Sequence, residues 1–263
     1  MKVALTVAGS DSGGGAGIQA DLKTFAAHDV HGTSAITAVT AQNSVAVTSW
    51  VALDPAMVAE QIETVAVDMP VAAVKTGMLA NAAIVEVVAR TVARLALPNL
   101  VVDPVMVAKG GHRLLDPDAE RAYVRTLFPL ALVVTPNLLE AGALLGRVIA
   151  TREDMRAAAR ELKALGPRSA LVKGGHLPGD AFDVLCDDEG WLELVAPRID
   201  TKNTHGTGCT YSAAIAARLA QGETLREAVR GAKEYVTEAI RRSYSVGAGH
   251  GPLDHLHPLR RST

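Results

Sequence analysis

The stretch THGTGCTYSAAIAARLA, residues 204–220, decides how this chain is read. A turn containing Gly206 and Gly208 runs directly into an alanine-rich helical pattern, and Cys209 sits at the junction. At the start of a helix the first backbone N–H groups have no partner within the helix and point at whatever lies ahead. With the helix dipole behind them they form an anion site. Gly206, Thr207, Gly208 and Cys209 are therefore the candidate catalytic loop. Its amides would grip a phosphoryl group while the sulfur removes a proton from an attacking hydroxyl. The same field should favour the thiolate, so a lowered pKa is expected for Cys209. The plain alternative is a small cysteine filling a gap beneath the helix. The only other cysteine, Cys186, lies in an apolar run and is assigned to packing.

Outward from that loop, short apolar runs of the buried-strand kind recur at 3–9, 34–42, 72–77, 100–104, 131–136 and 169–175. Most lack strict alternation, as expected of parallel strands covered on both faces. Helical patterns lie between and after them, at 17–28, 55–67, 80–95, 117–127, 137–145, 152–165, 208–221 and 224–241. Asp54-Pro55 and Thr151 to Asp154 supply helix-start signals. FDVLCDD and WLELVAP, around the turn Asp188–Gly190, read as an antiparallel pair. Alternating β and α elements predict an α/β fold, a doubly wound and mostly parallel sheet with a small antiparallel edge, in one domain over 1–263.

Ligands of such sheets bind outside the carboxyl ends of the strands. Here those ends carry Gly9-Ser10-Asp11, Gln42-Asn43-Ser44, Lys75-Thr76-Gly77-Met78, Asp103-Pro104-Val105-Met106, Thr135-Pro136-Asn137 and Lys173-Gly174-Gly175-His176. Together they describe one crevice. Composition narrows what it holds. The formal charge of −2, without any Lys/Arg cluster, offers no footprint for nucleic acid and points to small molecules. The first apolar run, MKVALTVAGSD, is too short and too soon broken for a secretory core or a membrane span. No membrane segment and a cytoplasmic location are expected. Gly15-x-Gly17-x-x-Ala20 formally matches a dinucleotide fingerprint. However, five residues separate it from the strand, and no acidic residue closes a second strand at the needed distance. His250, His255 and His257 read as a solvated tail rather than a zinc site.

AGSDSGGGAGIQADLKT (8–24), TAQNS (40–44), KTGML (75–79), DPVM (103–106), TPNLLEA (135–141), LVKGGH (171–176), NTHGTGCTYSAAIAA (203–217) and GAGHGPLDH (247–255) occur in this order. Together they resemble the hydroxymethylpyrimidine and hydroxymethylpyrimidine-phosphate kinases of thiamine biosynthesis, within the ribokinase-like superfamily. In that superfamily the last glycine loop usually reads GTGD, and cysteine replaces the aspartate here. The resemblance implies a ribokinase-like three-layer α/β/α fold without a separate lid domain. It also implies phosphorylation of 4-amino-5-hydroxymethyl-2-methylpyrimidine by ATP with Mg2+, and then of the monophosphate to the diphosphate.

By motif match, the pyrimidine would be held by Asp21 and Gln42, with Gly9, Met78 and Val105 along the wall. Asn137 and Glu140 would form the element that organises Mg2+, usually through water, and Lys173 would face the ATP phosphates. The residues themselves agree in part. Asp21 and Gln42 offer groups complementary to an aminopyrimidine edge. Asn137 and Glu140 lie one helical turn apart. Lys173 ends a buried strand, where an ammonium wants a partner. Lys109, in the glycine-containing segment VAKGGHRLL, is a further candidate for the ATP phosphates. Relatives often pair as dimers, so a homodimer is the implied assembly. Two other readings stay open, a pyridoxal or pyridoxine kinase of the same superfamily and a non-catalytic pyrimidine-sensing protein.

Overall fold

The structure is a computed structural model in which residues 1–106, 117–175 and 177–260 are described. Among these residues nine strands form one sheet: β1 (Lys2–Asp11), β2 (Val30–Gln42), β3 (Val47–Ala52), β4 (Val71–Thr76), β5 (Leu100–Val102), β6 (Val133–Val134), β7 (Ala170–Lys173), β8 (Ala181–Asp187) and β9 (Gly190–Ala196). Their order is β3-β2-β1-β4-β5-β6-β7-β8-β9. The six neighbouring strands β2-β1-β4-β5-β6-β7 are parallel, while β3 pairs antiparallel with β2 at one edge, and at the other β8 pairs antiparallel with β7 and β9 with β8. The predicted antiparallel edge is thus β8–β9. The second one, β3, has no counterpart in the expectation.

Helices cover both faces. Against one pack α1 (Gly17–Ala27), α7 (Thr207–Ala220) and α8 (Leu225–Arg241), which share a core with Ala4, Ala73, Val101 and Leu171. Against the other lie α2 (Pro55–Asp68), α3 (Ala82–Arg94), α4 (Pro117–Ala122), α5 (Leu138–Leu145) and α6 (Arg152–Ala164), whose core includes Leu5, Val7, Val74, Val102 and Val172. Neighbouring strand residues divide between the two cores, as the period of two requires. This is the three-layer α/β/α arrangement. Among the described residues there is no second sheet, and no helix is long and apolar enough to cross a membrane.

Local signals place the helix starts. Asp54 accepts from Ala56 N at 2.7 Å with Pro55 in the first position. Thr151 and Asp154 complete a reciprocal capping box, as do Thr224 and Glu227. The run predicted as helix 117–127 changes character at Tyr123, where five residues adopt a π-helical turn. The buried Tyr123 hydroxyl then donates to Gly77 O at 3.0 Å, steadying the turn after β4. The C-terminal segment departs from the solvated tail expected of it. Leu253, Asp254 and His255 are buried, and burial pushes the His255 imidazole down to about 4.

Candidate active site

The parallel strands end at a cavity of about 1240 Å³. β1 leads through α1 on one face to β2, whereas its other neighbour β4 leads through α3 on the opposite face to β5, so a crevice opens at the carboxyl ends of β1 and β4. Helix α7 packs over β1, β4 and β5 and aims its N-terminus into this crevice.

Asp11 organises the first glycine loop. Its carboxylate accepts from Gly13 N at 2.8 Å, Gly15 N at 3.1 Å and Ala16 N at 2.8 Å, and His205 Nε2 lies 2.8 Å from Oδ2. Burial pushes this carboxyl up, but the hydrogen bond and charge of His205, with the loop amides, hold it below the usual carboxylate range. The loop spends the N–H groups of Gly13, Gly15 and Ala16 on Asp11, so these three are not aimed at a phosphate. Gly206, the N-cap of α7, has φ of +81°, and a Cβ there would collide with Gly15 O. Only glycine lets the two loops meet.

Of the first-turn amides of α7, Thr207 N donates back to Thr204 O at 3.4 Å, while those of Gly208 and Cys209 precede any acceptor in their own helix. Gly208 lies beside a charged pair, since a Cβ on it would sit 3.3 Å from Lys173 Nζ and 3.7 Å from Asp103 Oδ2. Cys209 is half-buried and lines the cavity. Its thiol overturns the expected lowering. Loss of solvent pushes it up to about 11, outweighing Lys75 and the Gly17 N–H that favour the thiolate. The resting sulfur is therefore a neutral thiol. Alkylation of Cys209 by iodoacetamide, followed by peptide mapping, should be slow at neutral pH and accelerate about tenfold per pH unit toward that value. A rate that levels off below about pH 8 would contradict it.

Behind the loop lies a buried ion pair. Lys75 Nζ donates to Asp21 Oδ1 at 3.0 Å and Oδ2 at 2.8 Å, and Thr6 Oγ1 donates to the same carboxylate at 2.6 Å. Both charged side chains are 0% exposed. Burial alone would lower the Lys75 ammonium, but Asp21 raises it well above its ordinary value. A second cluster faces the cavity. Lys173 Nζ donates to Asp103 Oδ1 at 2.8 Å, and Thr135 Oγ1 and Ser212 Oγ also donate to Asp103. Burial pushes Glu140 up to about 7 against the pull of Lys173. Asn137 and Glu140 form the capping box of α5. Asn137 Oδ1 accepts from Leu139 N and Glu140 N, and Glu140 Oε2 accepts from Asn137 N.

Residues 11–254 match the model of the phosphomethylpyrimidine kinase family. The chain belongs to that family. It is 52% identical over 253 residues to a thiamine biosynthesis bifunctional protein of Geobacter sulfurreducens, covering 96% of this chain and 52% of that one. The chain thus spans about half the length of that relative. It is 51% identical to a hydroxymethylpyrimidine/phosphomethylpyrimidine kinase of Synechococcus elongatus, covering 98% of this chain and 99% of the other. Among solved structures, an ADP complex of Bacillus subtilis pyridoxal kinase superposes with a TM-score of 0.90 at 42% identity, covering 97% of both chains.

For this phosphomethylpyrimidine kinase family member, the cavity gathers Gly9, Gln42, Met78, Val105, Asn137, Glu140, Lys173 and the 206–209 loop. Met78 lies against Gly9, where a Cβ would meet its sulfur at 3.3 Å. Asp21 is the exception. It faces the layer between β4 and α1, sealed by Lys75 and Thr6, and does not line the cavity. Lys109 lies outside the described residues. Three residues were present in the strand-end and loop motifs without a role attached: Asp11, His205 and Asp103. A carboxylate followed by amide-rich glycines at two to five residues was the available signal for Asp11.

Proposed function

We propose that this chain transfers the γ-phosphoryl group of ATP to the hydroxymethyl oxygen of 4-amino-5-hydroxymethyl-2-methylpyrimidine, and then phosphorylates the resulting monophosphate to the diphosphate. The observation that carries the reading is one cavity lined both by Gln42, Gly9 and Met78 and by the α7 N-terminus with Cys209. An aromatic alcohol held by the first set would present its hydroxyl to the second. The amides from Gly206 to Cys209 bind the transferring phosphoryl oxygens, where charge is spread in the transition state. Lys173, already held by Asp103, adds a cation beside that hole.

Nucleotide binding is assigned to the rest of the cavity, where Ile199, Val236 and Ile240 supply apolar wall. Arg198 fixes the adjoining loop by donating to the carbonyl oxygens of Gly175, Leu177 and Gly179. Among the described residues no group of three or more His, Cys, Asp or Glu side chains is placed to hold a metal ion. Glu140 and Asp103 flanking one lysine nevertheless fit Mg2+, which keeps most of its waters and takes one or two carboxylates plus phosphate oxygens. When bound, the ion supplies charge neutralisation for the polyphosphate. A homodimer belongs to the same reading. The edge strand β3, with Trp50 41% and Val51 63% exposed, offers apolar surface for it.

The likeness to a pyridoxal kinase structure favours one rival, turnover of pyridoxal or pyridoxine in the same pocket. A coupled assay of ADP release with the pyrimidine alcohol, its monophosphate and pyridoxine separates them. Turnover of both pyrimidines, with kcat/KM on the alcohol at least about tenfold above pyridoxine, is expected. Preference for pyridoxine would transfer the assignment to the rival.

A further inference from the structure

His205 Nε2 stands between two side chains of the cavity wall, 2.8 Å from Asp11 Oδ2 and 3.2 Å from the Gln42 amide. The other end of that amide lies 3.4 Å from Thr40 Oγ1. A glutamine amide has one donating and one accepting end, alike in shape, and its neighbours decide which way it is turned. Two neighbours give the same answer here. Asp11 is a carboxylate that only accepts, so the facing Nε2 of His205 carries the proton. An amide –NH2 turned toward that N–H would set proton against proton, whereas the carbonyl can share the one Nε2 proton with Asp11 in a bifurcated bond. Thr40 gives its hydroxyl proton to Ser10 O at 2.9 Å, so toward Gln42 it offers lone pairs and calls for the –NH2. The backbone of Gln42 is held as well, with its N–H donating to Ser12 Oγ at 2.7 Å and its carbonyl accepting from the same hydroxyl.

We propose that Asp11 and His205 set the polarity of Gln42, turning its –NH2 into the cavity as a fixed donor for an unprotonated ring nitrogen of the acceptor substrate. This rests on the assignment of Gln42 to the acceptor side of the cavity made under the proposed function. Asp11 and His205 act through Gln42 and are positioning residues.

The test measures KM for the pyrimidine alcohol and for MgATP, together with thermal midpoints, in His205→Leu, His205→Gln and Thr40→Val. His205→Leu should raise KM for the alcohol about tenfold and leave KM for MgATP within about twofold, the size of one lost hydrogen bond to a positioned group. His205→Gln, whose –NH2 can donate to both Asp11 and Gln42, should return it to within about threefold of the parent. Thr40→Val, nearly isosteric, should raise KM for the alcohol several-fold. An analogue with ring nitrogen replaced by C–H should be disfavoured about tenfold by the parent and not by His205→Leu. Unchanged KM in Thr40→Val or in a folded His205→Leu overturns the proposal. So do parallel rises in both KM values, or a folded His205→Gln as impaired as His205→Leu. If the parent chain turns over no pyrimidine, the proposed function fails and takes this inference with it. Parent turnover with unmoved variants sinks the inference alone.

Discussion

Replacing Asp21 by alanine is expected to destabilise the protein by about 3–5 kcal/mol in urea unfolding at neutral pH, because it strands a buried ammonium. Lys75 and Asp21 are both 0% exposed, and the carboxylate holds two contacts to Nζ plus the Thr6 hydroxyl. Burial pushes the Asp21 carboxyl up, and Lys75 with the Thr6 hydroxyl offsets that only in part. Removing one partner leaves the cost of the other uncovered. The double variant Asp21→Leu with Lys75→Met should recover most of the loss, since it removes both charges and fills the space. A substrate-holding Asp21 would behave in the opposite way, with KM for the acceptor rising and unfolding hardly changed. That second pattern would restore the motif-based role and dismiss the structural one.

The same residue shows where sequence stops being legible. The spacing of Asp21 on α1 and its place in a motif were plain, but the partner lies on β4, and only the register of the sheet brings Lys75 beneath it. Elements with two buried faces could be read from their apolar runs, so β1, β2, β4 and β7 appear near their expected places. Strand β3 could not, because most of its residues are exposed and it shows no burial period; it is fixed by pairing with β2. Asn137 and Glu140 illustrate a different ambiguity. One turn of spacing serves a capping box and a metal-organising pair equally well, and the structure shows that the box uses Asn137 Oδ1 and Glu140 Oε2. The convergence of strand ends on one crevice followed from topology alone and was legible. Which thiol, carboxylate or imidazole is charged there was not, since that depends on how much solvent each retains.

Cys209→Ala is expected to lower turnover of the pyrimidine alcohol by about 10² to 10³, the usual worth of general-base assistance, while changing turnover of the monophosphate less than about fivefold. The asymmetry follows from the two acceptors. The alcohol must shed a proton as its oxygen meets phosphorus, whereas a dianionic phosphate has none to lose above about pH 7 and is limited by charge repulsion. Because the thiol sits at about 11, the thiolate that accepts the proton is scarce at neutral pH and grows with pH. For the parent enzyme, kcat/KM on the alcohol should therefore climb toward tenfold per unit between about pH 7 and 9 without a plateau. Under the proposed role of Glu140 on the nucleotide side, its ionisation near 7 should raise both reactions alike over its own titration. The ratio of alcohol to monophosphate activity thus isolates the sulfur: it should rise with pH in the parent and be flat in Cys209→Ala. Cys209→Ser adds the deciding contrast. A hydroxyl can still hydrogen-bond the acceptor but is too weak an acid to yield a useful base, so recovery of activity by serine would make the sulfur an orienting group and not a proton acceptor.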